Sequence, residues 1–263
     1  MAAPERKPYA APELRPVTPK LFVSTFPYAL IKHARALGEL EGGPERELAL
    51  IKHHEQLRGE SAWPAYRTIG QLDAVEPFVL VSDASGSISQ SRSRMAGRFW
   101  GGFGAACDVW VSIDDDIYAE TDVLARLIGL ARKTHGLATV PYLLRDGRTA
   151  SIAGVIDTGA GGFTAQSSGM GLVAMHRDAL MRIFETSPRA VDDKGARYPA
   201  CFLEVIDEWL GWLGEDIAFS RRAAEQGIAW HVLADAPVCH AGRWSRMNAD
   251  GTFSADRATA EGL

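Results

Sequence analysis

The 263-residue chain is poor in cysteine: Cys107, Cys201 and Cys239 are all it has. An odd number, widely spaced and without a CxxC pair, excludes a disulfide framework and a four-cysteine zinc site, and points to a reducing compartment. No run approaches the ~20 apolar residues of a membrane-spanning helix, so no membrane span is expected. The opening stretch, MAAPERKPYAAPELRPVTPK, carries prolines and charges where a signal peptide has an apolar core, and a cytoplasmic protein is predicted. An excess of positive charge is also missing. Lys plus Arg is 28 against 33 for Asp plus Glu, a net charge of −5, which argues against nonspecific coating of nucleic acid but not against a local basic groove.

What is present is the composition of a globular protein, 46% hydrophobic and 23% charged. Residues 1–19 read as an extended or disordered arm, and 20–263 as a single domain. Strand-like apolar runs fall at LFVSTFPY (21–28), PFVLVSDAS (77–85), DVWVSIDDD (108–116), LATVPYLL (137–144), LVAMH (172–176) and IAWHVLA (228–234). Helical periodicity falls at 29–58, at 87–100 with Ser87 as N-cap, after 121, after 177, and from Glu215 to a stop at Gly227. The helix after 121 is the clearest, with Val123, Leu124, Leu127, Ile128 and Ala131 on one face, ending at Gly136. GGFTAQSSGMG (161–171) reads as a flexible loop. Alternating strands and helices predict an α/β fold with a mostly parallel central sheet and helices on both faces.

Asp114, Asp115 and Asp116 follow directly on VWVSI. Ligands of open α/β sheets gather at strand carboxyl ends, so this is where a site belongs. Two carboxylates ~4 Å apart at an effective dielectric of ~20 repel by about 4 kcal/mol, and a hard divalent cation with oxygen preference, Mn²⁺ or Mg²⁺, offsets that. In extended backbone Asp114 and Asp116 point the same way and Asp115 points elsewhere. The plainer alternative makes these acids helix caps and solvated turn residues. Further on, Glu215 and Asp216 open a helix, where its dipole alone would favour them. His240 follows a strand.

Taken in order, an apolar strand ending in DxD (VSIDDDI), a GxG segment (SSGMGLVAMHRDAL), an ED-x-x-F-x-x-R helix (GEDIAFSRR) and a later histidine (VCHAG) resemble GT-A glycosyltransferases, in particular short single-domain bacterial and phage enzymes. The resemblance runs from about Phe78 to Gly242. It implies a GT-A-like fold, with Asp114, Asp116 and His240 holding a metal on the donor diphosphate and Asp216 as catalytic base, Glu215 taking a related role. It further implies transfer of a sugar from a nucleoside-diphosphate sugar, UDP-linked by preference, to an acceptor hydroxyl, with inversion. The host cytoplasm is the compartment if the chain is phage-encoded. Chemistry agrees: the leaving group needs its charge neutralised, and the acceptor proton needs a carboxylate.

On the donor side the reading adds Ser24, Thr25 and Pro27 on the first strand, Asp83, Asp115, and Arg92, with Arg94 beside it, on the helix before the DxD strand. SDASGS stands where many family members carry DD-x-S-x-D. On the acceptor side it places Trp209, Trp212, Gly169 and Gly171, the tryptophans alternatively being core residues three apart on a helix. Acceptors include a glycan or a hydroxymethylated base in phage DNA, so nucleic acid stands among the partners. Two other readings are a nucleotidyltransferase, whose Gly-rich phosphate loop TFPYALIK does not resemble, and a non-catalytic nucleotide- or carbohydrate-binding module.

Overall fold

The computed structural model describes residues 20–26, 64–72, 74–76, 78–82, 87–159, 162–192 and 195–257. The expected N-terminal arm and the helical pattern at 29–58 lie outside them. Strands β1 (Leu21–Phe26), β2 (Phe78–Ser82), β3 (Val109–Asp114), β5 (Leu137–Thr139), β7 (Ile156–Gly159), β8 (Gly162–Ala165), β10 (Leu172–His176) and β15 (Trp230–Val232) form one sheet in the order β2-β1-β3-β10-β5-β15-β8-β7. The sheet is mixed rather than mostly parallel. β1 runs parallel to β2 and β3, and β15 parallel to β5, but β10 lies antiparallel to both its neighbours, and β8 is antiparallel to β15 and β7. Runs of apolar residues identify buried strands and say nothing of their direction, which the connections decide.

Helices lie on both faces. The strands alternate between them: Phe22 and Trp110 pack with Met95, Phe99 and Phe219 on one side, Leu21, Val23, Val109 and Val111 with Val123, Leu124 and Leu127 on the other. Helices α2 (Ile88–Gly101), α4 (Arg177–Thr186) and α5 (Glu215–Glu225) supply the first core, and α1 (Pro64–Leu72) and α3 (Thr121–Thr134) the second. The five apolar positions read for α3 are all buried. Its end differs from expectation in detail. His135, not Gly136, takes the left-handed cap (φ 48°), while a Cβ on Gly136 would sit 3.1 Å from the His231 ring, a tight contact. Ser87 does cap α2, its hydroxyl accepting from the Gln90 amide.

Short strands complete the chain. β4 (Ile117–Tyr118), β16 (Val238–His240), β17 (Arg243–Met247) and β18 (Phe253–Arg257) form a second sheet in the order β18-β17-β16-β4, so IAWHVLA is not the last strand. β6 (Ile152–Ala153) pairs with β9 (Ser167–Ser168) and β11 (Arg189–Val191) with β12 (Arg197–Pro199). The segment read as a flexible loop therefore holds β8 and β9. β13 (Val205–Asp207) and β14 (Gly211–Leu213) make a hairpin where a helix was the alternative reading for Trp209 and Trp212. Among the described residues no helix is long and apolar enough to cross a membrane.

Candidate active site

Two elements far apart in sequence meet through one arginine. Asp114 ends β3, Glu215 and Asp216 open α5, and Arg92 reaches both from the second turn of α2: Nη2 donates to Asp114 Oδ1 at 2.7 Å and Nη1 to Glu215 Oε1 at 2.5 Å. The Arg92 side chain is only 2% exposed, so it is neither a solvated helix-face residue nor, as it stands, a free phosphate ligand. Burial disfavours its charge, but Asp114 and Glu215 more than compensate and raise its pKa. For Glu215 the balance goes the other way. Burial raises its pKa, and the attraction of Arg92 offsets only part of that.

Arg92, Asp114, Glu215 and Asp216 line a cleft of about 270 Å³ together with Tyr142, Ser151 and Gly169. Asp216 Oδ1 accepts from the Ile217 amide at 2.7 Å in the first turn of α5. Gly171 contacts two of the lining residues. Its carbonyl accepts from the Asp114 amide at 2.8 Å, and a Cβ on it would come 2.2 Å from the Tyr142 hydroxyl oxygen. Only glycine permits that approach.

Asp115 and Asp116 lie in the tight turn between β3 and β4, not in extended backbone, so Asp114 and Asp116 are not held on one side by strand alternation. Asp116 instead turns to His240 at the end of β16, with Oδ2 3.3 Å from His240 Nε2, and accepts from Arg145 at 2.8 Å. His240 Nδ1–H donates to the Leu143 carbonyl at 3.1 Å, which leaves Nε2 as the nitrogen aimed at Asp116. Burial opposes the charge on both partners. The hydrogen bonds from His240 and Arg145 nevertheless hold the Asp116 carboxyl at about 2, and Asp116 raises His240. Tyr142 lies against the His240 ring, centroids 4.8 Å apart, and burial followed by the Asp114 charge pushes its hydroxyl pKa up.

The expected three-ligand set therefore meets only in part. Asp116 and His240 come together, while Arg92 draws Asp114 toward Glu215. Among the described residues the group of ligand atoms all within 4.8 Å of one another is a different one, His135, His176 and Asp178.

The Asp116–His240 pair has a pH signature in metal-free protein. Asp116 has a folded value below its ordinary 3.8, so its contribution is full above about pH 4 and lost as pH falls toward 2. His240 is raised above 6.5, so its contribution is full below about pH 6.5 and lost as pH rises through the folded value. Urea unfolding should show Asp116→Asn most destabilised relative to wild type near pH 6, with the gap narrowing at pH 3 and at pH 9. An equal gap at all three would mean that the pair is not ionic.

Ser24, Trp209 and Trp212 are not among the residues that line this cleft. Ser24 is fully buried and its hydroxyl accepts from Trp110 Nε1 at 2.7 Å, so it serves the core; the expectation of nucleotide contact is corrected for that reason. Thr25 has only its backbone described, in register with Ile113, and Pro27 and Asp83 lie outside the described residues. Trp209 and Trp212 are not core residues, being 92% and 67% exposed on the β13–β14 hairpin. Asp207 fastens this hairpin, accepting from the Trp209 and Leu210 amides and from Arg221 of α5.

A larger cleft of about 610 Å³ opens beside α2 among Arg94, Arg98, Trp100, Arg197 and Tyr198. It contains none of the acids discussed above. Its arginines come from α2 and β12, and only their packing reveals it as a unit.

No family model matches the sequence, and no curated protein matches it either. Among solved structures, the chain has a distant likeness to the A197 protein from STIV, 12% identical over 89% of this chain and 92% of that one with a TM-score of 0.49. Apo UDP-glucose pyrophosphorylase is 10% identical over 81% of this chain and 72% of that one, with a TM-score of 0.38. UDP-glucose pyrophosphorylase complexed with UDP-glucose is 10% identical over 81% and 89%, at 0.41.

Proposed function

We propose that the chain is a GT-A-like glycosyltransferase that moves a sugar from a nucleoside-diphosphate donor to an acceptor hydroxyl at the cleft between β3 and α5. The observation that carries this reading is the joining of Asp114, at the end of β3, to the first turn of α5 through buried Arg92, with Asp216 lining the same cleft.

The carboxylates of Asp114, Asp115, Asp116, Glu215 and Asp216 outnumber the guanidiniums of Arg92 and Arg145, which supports a cation there. Asp116 and the lone-pair nitrogen of His240 suit a divalent ion, and Asp114 stands at the same strand end. Such an ion, Mn²⁺ or Mg²⁺, supplies charge neutralisation for the departing diphosphate. Asp216 takes the acceptor hydroxyl's proton, and Glu215, held by Arg92, is a positioning residue. The acceptor oxygen so deprotonated attacks the anomeric carbon from the face opposite the leaving group, the bond to the diphosphate breaks, and the anomeric centre is inverted. Trp209 and Trp212, on the hairpin that runs directly into α5, present aromatic faces on which an acceptor sugar or base stacks.

The test needs no acceptor. Purified protein is incubated with UDP-, GDP- and TDP-sugars and Mn²⁺, and free nucleoside diphosphate is measured. Metal-dependent release of nucleoside diphosphate and sugar from one donor class is expected. Release that yields sugar phosphate and nucleoside monophosphate, or no turnover of any donor, would overturn the reading.

A further inference from the structure

At the other end of the central sheet two histidines are brought together by the backbone. His135 is the left-handed cap of α3, and His176 is the last residue of β10 and the N-cap of α4. The two segments are tied directly, since the His176 amide donates to the Gly136 carbonyl at 2.9 Å. The imidazoles sit edge to face with centroids 4.4 Å apart. Asp178, in the first turn of α4, turns back on both. Its Oδ2 accepts from His135 Nδ1 at 2.7 Å and lies 3.6 Å from His176 Nδ1, a nitrogen that also accepts from the Asp178 amide at 3.2 Å. One ligand atom from each of the three residues falls within 4.8 Å of the others.

We propose that His135, His176 and Asp178 form a binding site for a zinc-class dication, separate from the cleft at Asp114. Register establishes the separation: His176 pairs with Val109, the first residue of β3, whereas Asp114 is the last, and that strand length is roughly 17 Å. The donor set determines the metal. Two imidazoles and a carboxylate favour Zn²⁺ and its neighbours, whereas Mg²⁺ and Mn²⁺ prefer oxygen. Zinc bonds of ~2.0–2.2 Å put ligand atoms about 3.3–3.6 Å apart in a tetrahedron, so the group needs to close by little more than about 1 Å. That movement falls to the exposed side chains of His135 and Asp178, whose mutual hydrogen bond the ion replaces, while His176, 10% exposed, is the fixed point. A bound ion links the end of α3 to the start of α4 and keeps one coordination position open to solvent.

Chelator-stripped full-length protein, titrated with ZnCl₂ against a chromogenic competitor, should bind one equivalent at this site with a dissociation constant of about 1 μM or tighter. Millimolar Mg²⁺ should not displace it. His135→Asn keeps a residue tolerated in the left-handed conformation, and Asp178→Asn changes an exposed side chain. Each should keep the wild-type melting temperature in chelator, weaken zinc binding at least about tenfold, and lose the zinc-induced rise in melting temperature. Asp116→Asn, which affects the other end, should leave this equivalent in place. No zinc uptake by wild type, or unchanged affinity in both His135→Asn and Asp178→Asn, would overturn the proposal. Neither result depends on sugar transfer.

Discussion

Asp216→Asn is expected to fold and bind donor as wild type does and to lose transfer by about 10²–10⁴-fold, the usual contribution of a positioned acid–base group. The substitution is nearly isosteric. An asparagine oxygen still accepts from the Ile217 amide, as Asp216 Oδ1 does, so the start of α5 survives. If Asp216 served only the helix dipole, the change would cost about 0.3–1 kcal/mol of stability and leave turnover intact. Glu215→Gln is the control. Its side-chain oxygen still accepts from Arg92, so a moderate loss of rate is expected, since the charge that holds Arg92 is halved but the contact remains. Single-turnover rates with calorimetric donor affinities separate these cases. Wild-type rates for Asp216→Asn together with collapse for Glu215→Gln would exchange the two roles.

Arg92→Met should produce the largest loss of stability. The guanidinium is almost wholly buried, and Asp114 and Glu215 are only 26% and 17% exposed. Methionine fills comparable volume but leaves both carboxylates facing each other without their cation. Removing one partner from a buried ion pair costs about 3–5 kcal/mol, and partial access of water to the acids puts the expectation near the lower end, about 3 kcal/mol. At this chain length that is a fall of roughly 6–12 °C in melting temperature. Arg92→Lys should recover only part, because one ammonium cannot present the two-pronged donor set that reaches both acids. The double variant Arg92→Met, Glu215→Gln should be more stable than Arg92→Met alone, since one stranded charge is gone. Urea unfolding of wild type, Arg92→Met, Glu215→Gln and the double variant gives the coupling directly; additive losses would show that Arg92 and Glu215 do not act as a pair.

The local pattern already contained much of this protein. Apolar runs located β1, β3 and β10 because a strand buried on both faces must be apolar throughout. The 3.6-residue period located the buried face of α3, and Ser87 located the start of α2, since capping depends on residues a few positions apart. The acidic strand end and the acidic helix start were legible as candidates for the same reason. Tertiary structure alone decided the rest. Strand direction comes from connections, so the sheet proved mixed. Arg92 looks like any helical arginine until Asp114 and Glu215, 22 and 123 residues away, close on it. The convergence of His135, His176 and Asp178 depends on a backbone bond between two segments that no local period relates. Ser24, polar in an apolar strand, read as a ligand-facing residue until the indole of Trp110 took its hydroxyl. A side chain's partner is set by what folds against it, and for charged and hydroxyl groups the partner, more than the residue type, determines the chemistry.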